Sequence, residues 1–187
     1  HGNLGEVTLI SEPVEDSRDS DDENWTTAYT KGSFADCGQN ECLNLSEAEF
    51  NSVFQESEDH VIRRLCTNCA SSHQEIYYKR ITSPTDFEPS NYMLNTWRNS
   101  PWNGNGTTNQ YCDDCSWDDN NNLNTDFELY STMEDLEAGI NKWTYCNYND
   151  PGIGFPRDCG PNGGVGGQWN SLYRGGQQHI QYDIYTP

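Results

Sequence analysis

From residue 60 onward, the chain is dominated by short segments in which apolar and polar residues alternate. In HIQYDIYTP, Ile180, Tyr182 and Ile184 alternate with polar residues, and in DFELY, Phe127 and Leu129 alternate with acids. A period of two residues is typical of β-strands that bury one face. The segments HVIRRL, HQEIYYKRI and KWTYCNY are also short, rich in β-branched or aromatic residues, and bounded by Gly, Pro, Asn or Asp. The pattern predicts a mainly β fold, an antiparallel β-sandwich or jelly-roll-like domain.

The segment LNLSEAEFNSVFQES has the pattern of a short helix instead. Ser46 is placed as the N-cap, and Glu49, three residues later, completes a capping box. Phe50, Val53 and Phe54 then form one apolar face. We therefore expect a short amphipathic helix that packs on the sheet.

The segment TMEDLEAG predicts a second short helix. Thr132 is placed as its N-cap, and Gly139 can end it in a left-handed conformation. The expected helix runs from Met133 to Ala138. The β domain is thus expected to contain one or two short helices.

The N-terminal region differs from the rest of the chain. Residues 5–11, GEVTLIS, have Val7 and Leu9 on one face and predict an isolated strand. The following segment, SEPVEDSRDSDDENWTT, is acidic and nearly free of large apolar residues, so an extended linker is expected. The predicted organisation is an N-terminal strand at 1–11, an acidic extended linker at 12–31 and a disulfide-stabilised β-sandwich domain at 32–187.

An isolated strand on a linker has two structural solutions. It can pair with an open sheet edge of a neighbouring subunit, with Val7, Leu9 and Ile10 as the subunit contacts. Such an exchange is head-to-tail and produces rings or filaments. Alternatively, the linker folds back and the strand completes its own sandwich, because the entropy of loop closure grows slowly with length. The sequence leaves both solutions open.

The charge of the chain is strongly asymmetric, with 30 acidic and 10 basic residues and a net charge of −20. Such a field repels nucleic-acid phosphates and anionic membrane surfaces, so neither is an expected partner. The sequence contains no run of 18 apolar residues, and no membrane span is expected. Because the chain begins with His rather than Met, we expect either that a signal peptide has been removed or that the chain is a fragment.

Cysteines and sequons indicate an oxidising, extracellular compartment. The sequons NWT, NLS and NGT make Asn24, Asn44 and Asn105 candidate glycosylation sites. An even number of cysteines favours disulfides, with sequence neighbours as the preferred pairs. The pairs CTNC and CDDC could instead form a zinc site with four thiolates. The eight candidates are Cys37, Cys42, Cys66, Cys69, Cys112, Cys115, Cys146 and Cys159.

Residues 66–178 contain longer segments that resemble a known type of domain. These are HQEIYYKR, DFELYS, CNYNDPGIGFPRDCGP and GGQWNSL. They are similar to an uncharacterised extracellular domain of secreted, often multi-copy proteins of diatoms, other aquatic protists and bacteria. The resemblance implies a surface or matrix setting, and it implies no catalytic residue.

The His-Gly start is similar to that of lytic polysaccharide monooxygenases, which are copper enzymes. Their histidine brace would use the amine and imidazole of His1 together with a second imidazole, a donor set that suits Cu(II). The candidates for the second imidazole are His60, His73 and His179. Tyr182 or Tyr185 is the candidate axial neighbour. Without such a partner, His1 is simply the first residue after a cleavage site.

Two other features bear on ligands. The acidic loops DDCSWDDNNN and YNDPG could bind Ca²⁺, although neither has the spacing of an EF-hand. Trp and Tyr have an apolar ring and a polar group, which suits the stacking of sugar rings. The tryptophans considered for such a glycan platform are Trp97, Trp102, Trp117 and Trp169.

Together these patterns predict a secreted, glycosylated structural protein rather than an enzyme. It would be the repeating subunit of an extracellular filament or surface matrix, which self-associates into a homopolymer by N-terminal strand exchange. The alternatives are a copper-dependent polysaccharide monooxygenase that uses His1 and a passive carbohydrate-binding module. No resident cofactor is expected for the structural protein, although calcium could bridge its acidic subunits.

Overall fold

A computed structural model of the protein describes residues 22–83, 88–95, 122–146, 155–156, 158–168 and 176–187. Its secondary structure is mainly antiparallel β with two short α-helices, as the sequence predicts. The strands are β1 Trp25–Lys31, β2 Glu41–Leu43, β3 Val61–Cys66, β4 Glu75–Arg80, β5 Phe127–Tyr130 and β6 Ile180–Tyr185. The helices are α1 Glu47–Glu56 and α2 Met133–Ala138, with 3₁₀ turns at Asp22–Asn24, Gly32–Phe34 and Ser71–His73 and a π-helical turn at Asn91–Asn95.

The six strands form one sheet in the order β2-β1-β6-β3-β4-β5, and all neighbours are antiparallel. The C-terminal strand β6 lies in the interior of the sheet, between β1 and β3. Residues far apart in sequence therefore form the centre of the fold. The described residues contain this single sheet, and the second sheet of a sandwich stays a prediction.

A β-bulge in β1 divides the side chains of this strand between the two faces of the sheet. The register with β6 shifts between Thr27, which pairs with Asp183, and Tyr29, which pairs with Tyr182. In a regular strand, Trp25, Thr27 and Tyr29 would all point to the same face, but the extra residue of the bulge reverses the alternation after Thr27. With it, Tyr29 is buried in the main core while Trp25 lies on the opposite face.

The main core lies between the sheet and helix α1, on what we call the α1 face. Its β6 residues are Ile180, Tyr182 and Ile184, and Phe50 and Phe54 of α1 pack over them. Aromatic rings supply much of the apolar area. Tyr78, Tyr92, Phe127 and Phe155 are further buried members of this core.

The opposite surface of the sheet, the α2 face, has a smaller core. Leu136 of α2 packs with Val61, Tyr77 and Tyr130. The two helices begin as the sequence predicts. In α1, the Ser46–Glu49 capping box is complete, and in α2 the Thr132 hydroxyl accepts the Asp135 N–H before Gly139 ends the helix at a φ of 66°.

Two predicted assignments are wrong. The acidic extended linker was expected to run from 12 to 31, but its last residues, Trp25–Lys31, form β1 and pair with β2 and β6. The composition of the preceding acidic residues does not favour a strand. Strand β1 forms nevertheless, because Trp25 and Tyr29 pack in the two cores and main-chain hydrogen bonds join β1 to β2 and β6. The segment KWTYCNY is not a regular strand: it contributes only an isolated bridge between Tyr145 and Gly160 within the described residues.

Three disulfides connect sequence neighbours within the described residues, which fits folding in an oxidising compartment. They are Cys37–Cys42, Cys66–Cys69 and Cys146–Cys159. The expected preference for neighbouring cysteines is confirmed for these pairs. Because Cys66 and Cys69 are bonded to each other, the CTNC pair does not supply thiolates to a zinc site. Cys112 and Cys115 lie outside the described residues.

Candidate functional site

One edge of the sheet is incompletely paired. Strand β2 pairs only with Tyr29–Lys31, the last three residues of β1. The backbone oxygen of Ala28 accepts hydrogen bonds from Asn44 and Leu45, which turn the chain away from β1. The described residues place no strand beside Trp25–Thr27 on this side. Among the described residues, this half of β1 is thus an open edge of the kind to which another strand can be added.

The opposite edge of the sheet is covered. The N–H of Trp143 donates to the oxygen of Leu129 in β5 over 2.8 Å, and the N–H of Asn124 donates to Phe127 over 2.7 Å. Trp143 is fully buried and its Nε1 donates to the Ser131 hydroxyl. A covered edge is protected against strand addition, so the two edges of this sheet differ.

A groove lies on the α1 face, near the end of β6. It is formed by the C-terminal part of α1 and by the last residues of the chain, and it has a volume of about 330 Å³. Val53 is its large apolar residue, and Glu56 and Glu58 lie at its rim. The groove and the open edge meet at the same end of the sheet, because Thr26 of β1 bonds to Thr186 through their hydroxyls over 2.8 Å.

A second concave surface, the aromatic pocket, lies on the α2 face. Trp25, Tyr77 and Tyr185 supply its rings, Arg63 its polar floor, and Met133 and Asn24 part of its wall. Its volume is about 230 Å³. The centroid of the Trp25 ring lies 4.9 Å from that of Tyr185 and 6.1 Å from that of Tyr77. Glu134 and Glu137 face the pocket from α2 and are exposed.

The floor of the aromatic pocket is held in place by a buried ion pair. Arg63 donates to Asp183, its direct neighbour on β6, and its Cζ lies 4.4 Å from the centroid of the Trp25 ring. The hydroxyl of Tyr77 donates to Glu75 over 2.5 Å. Burial, together with this carboxylate, raises the pKa of Tyr77, so its phenol stays protonated at neutral pH. The pocket thus combines aromatic rings with charged and hydrogen-bonding groups, a lining suited to a small polar ligand.

Two of the three candidate glycosylation sites lie in the described residues, and both asparagines are exposed. Asn24 immediately precedes β1 and lines the aromatic pocket. Asn44 follows β2, and its Oδ1 accepts a hydrogen bond of 3.3 Å from Thr30. Asn105 lies outside the described residues.

The histidines proposed as copper ligands lie in different surroundings. His73 is fully buried; its Nε2 donates to the oxygen of Cys159 over 2.9 Å, and its Nδ1 lies 2.9 Å from the Ser72 hydroxyl. Both ring nitrogens are engaged, so His73 does not fit a copper site. Burial lowers the pKa of His73 and keeps the ring neutral.

The other candidate copper ligands also have contacts within the protein. His179 accepts the N–H of Ser33 at its Nδ1, and His60 contacts the oxygen of Gln55. Tyr182 is buried and donates to the oxygen of Phe155, while the ring of Tyr185 packs against Trp25 at an interplanar angle of 54°. The described residues contain no group of three His, Cys, Asp or Glu side chains placed to hold a metal. His1, on which the histidine brace depends, lies outside the described residues, so the copper alternative stays a prediction.

Several predicted site residues lie outside the described residues. These are His1, the strand contacts Val7, Leu9 and Ile10, the tryptophans Trp97, Trp102, Trp117 and Trp169, and nearly all of the two acidic loops. Their roles stay predictions. None of the helices in the described part of the chain is both long and apolar enough to cross a membrane.

The aromatic pocket was not predicted from the sequence. Trp25 was assigned to the linker, Tyr77 to a predicted strand, and Tyr185 to a predicted strand and to the axial position of a copper site. The available signal was the sequon NWT, in which a large aromatic residue directly follows the candidate glycosylated asparagine. Comparisons of the chain with known protein families, curated proteins and solved structures found no match.

Proposed function

We propose that the protein is a secreted, glycosylated structural subunit that assembles into an extracellular filament or matrix by N-terminal strand exchange. The observation that supports this most directly is the open edge at Trp25–Thr27 of β1, a strand that pairs with β2 only at Tyr29–Lys31. The donor is the segment 5–11 of a neighbouring subunit. It adds to this edge by main-chain hydrogen bonds.

Chain length permits a neighbouring subunit as the acceptor. The 21 residues before Asp22 can span about 70 Å when fully extended. A compact domain of the remaining size has a radius of gyration of about 15 Å. The acidic residues among them repel one another and favour extension. The segment 5–11 can therefore reach well beyond its own domain.

The groove on the α1 face supplies a site for donor side chains. Val7 and Leu9 share one face of the donor strand, and Val53 offers an apolar surface at the end of the sheet where the open edge lies. A fibre that grows by one edge also requires that the other edge remain closed. The hydrogen bond from Trp143 to Leu129 meets this requirement.

The test is to alter one face of the donor strand. The full chain with Val7→Asp and Leu9→Asp should remain folded but fail to assemble, because the new carboxylates would meet the apolar surface of Val53 and the like charges of Glu56 and Glu58. Assembly is measured by analytical ultracentrifugation and electron microscopy, and folding by circular dichroism. The matched control is Thr8→Asp, which adds a charge to the opposite face of the same strand and should assemble like the wild type.

The deletion of residues 1–11 gives a second, independent result. This chain should be a folded monomer that does not assemble with itself. It should nevertheless bind a synthetic peptide of residues 1–11, since its edge is vacant. Wild-type protein that stays monomeric, or variants that assemble normally, would contradict strand exchange.

A further inference from the structure

We propose that the aromatic pocket is the docking site for the first sugar of an N-linked glycan attached to Asn24 of the same chain. The proposal rests on the glycosylation that forms part of the proposed function, and it is independent of strand exchange. The glycan would then be a packed part of the fold on the α2 face. It would leave the α1-face groove and the donor strand clear.

The position of Asn24 is the first argument. Its side chain is exposed and lines the pocket, and its backbone oxygen accepts the N–H of Thr186 over 2.8 Å. This bond fixes Asn24 at the N-terminal end of β1, directly before Trp25. A sugar bonded to Asn24 therefore starts inside the pocket, and its docking costs little translational or rotational entropy.

The chemistry of the lining is the second argument. A pyranose ring has apolar C–H faces and polar edges, so it needs aromatic faces together with hydrogen-bonding groups. Trp25 and Tyr185 supply the rings, and both are only partly buried. Glu134 and Glu137 can accept hydrogen bonds from hydroxyl groups on the side facing α2.

The size of the pocket is the third argument. Pockets that hold drug-sized ligands have volumes of about 300–1,000 Å³. The aromatic pocket, with about 230 Å³, is smaller and suits one sugar ring with its N-acetyl group. We therefore assign the pocket to the first N-acetylglucosamine and place the rest of the glycan in solvent.

The attachment itself needs a co-reactant and an unfolded sequon. A lipid-diphosphate-linked oligosaccharide supplies the sugar: the bond from Nδ2 of Asn24 to C1 forms as the bond from C1 to the lipid diphosphate breaks, and the amide loses one proton. In the folded protein, the Thr26 hydroxyl of the sequon is bonded to Thr186 and Trp25 is paired with Tyr185. Glycosylation must therefore precede the pairing of β1 with β6, which joins residues far apart in sequence.

The experiment is a double-mutant cycle on full-length protein secreted by eukaryotic cells. Glycopeptide mass spectrometry first measures the occupancy of Asn24. Asn24→Gln should then lower the midpoint of thermal unfolding by about 2–4 °C, the shift expected for about 1 kcal/mol in a domain of this size. In a Tyr185→Ala background, the same substitution should lower the midpoint by much less, because the docking surface is already lost.

Three controls make the result specific. Asn44→Gln removes a glycan elsewhere, and its effect should not depend on Tyr185. Met133→Ala alters another wall of the pocket and replaces Tyr185→Ala if that variant does not fold. Trimming every glycan to its first N-acetylglucosamine should leave the midpoint unchanged.

An unoccupied Asn24, a shift that is the same in both backgrounds, or a loss of stability on trimming would each overturn the proposal. The glycan occupancy and the unfolding midpoints are properties of a single domain. They are also measured on the variant that lacks residues 1–11. If strand exchange fails, the wild-type protein is monomeric, and the result of the double-mutant cycle of Asn24 and Tyr185 does not change. The two proposals can therefore fail separately.

Discussion

Arg63 and Asp183 lie directly opposite each other on β3 and β6, and Arg63 donates to a single carboxylate oxygen from both Nε and Nη2, over 3.1 and 2.9 Å. The second oxygen of Asp183 accepts from Thr27 over 2.9 Å and from Gln181 over 2.8 Å. Asp183 is fully buried. This network joins three adjacent strands and supports Trp25 at the aromatic pocket.

Asp183→Ala should lower the free energy of unfolding by about 3–5 kcal/mol, because it removes the buried carboxylate that pairs with the guanidinium of Arg63. Thr27→Val, the control, removes one of four hydrogen bonds and should cost about 1 kcal/mol. Urea unfolding followed by circular dichroism measures both. Equal losses for the two variants would show that the charge of Asp183 is not the important feature.

His73 predicts a pH dependence of stability. Burial lowers its pKa below the ordinary value of 6.5, and nearby Arg64 acts in the same direction. The folded state therefore holds the ring neutral, while the unfolded chain takes up a proton below pH 6.5. The stabilisation is complete above this value and is lost as the pH falls below it, at up to about 1.4 kcal/mol per pH unit.

The measurement is urea unfolding at pH 7.5, 6.5 and 5.5, which lies above the range in which exposed carboxylates titrate. His73→Gln is the control, since an amide can still donate to Cys159 but does not titrate near neutral pH. It should lower stability at every pH and flatten the change between pH 6.5 and 5.5. An unchanged slope would assign the pH dependence to other groups.

Two disulfides should differ in their contribution to stability. Cys146–Cys159 closes a segment with a sequence separation of 13, whereas Cys37–Cys42 closes one of 5. From loop entropy, replacing the first pair by alanines should cost about 3 kcal/mol and the second about 2 kcal/mol. Denaturant unfolding of the two double variants checks the order, and the reverse order would mean that loop closure is not the dominant effect.

The local structure could be predicted from the sequence where the residues that determine it are close together in the chain. The helix α1 follows from the Ser46–Glu49 capping box, and α2 from Thr132 and Gly139, because each cap satisfies backbone groups within one turn. The alternation in β6 predicts its buried face correctly. Strand β1 was missed, because its stability comes from pairing with β6, about 150 residues later, and its bulge breaks the alternation.

The candidate site was less predictable than the fold. The aromatic pocket combines Trp25, Arg63, Tyr77 and Tyr185, whose proximity depends on the strand order β1-β6-β3-β4. No spacing within the sequence encodes that order. His73 illustrates the opposite error: it was a candidate ligand by residue type, yet its burial and hydrogen bonds give it a structural role.

Assembly should depend on ionic strength. Each subunit has a net charge of −20, and the rim of the α1-face groove contains Glu56 and Glu58, so an acidic neighbour is repelled as it approaches. At about 0.01 M salt this repulsion acts over about 30 Å, but at 0.15 M it is screened within about 8 Å. Protein purified at low salt should therefore be monomeric and should assemble when NaCl is added, as measured by light scattering.

Calcium chloride at the same ionic strength is the comparison: equal assembly in both salts indicates screening, and assembly in calcium alone would assign the contact to bridged carboxylates. Assembly that is already complete at low salt would contradict the proposed electrostatic barrier.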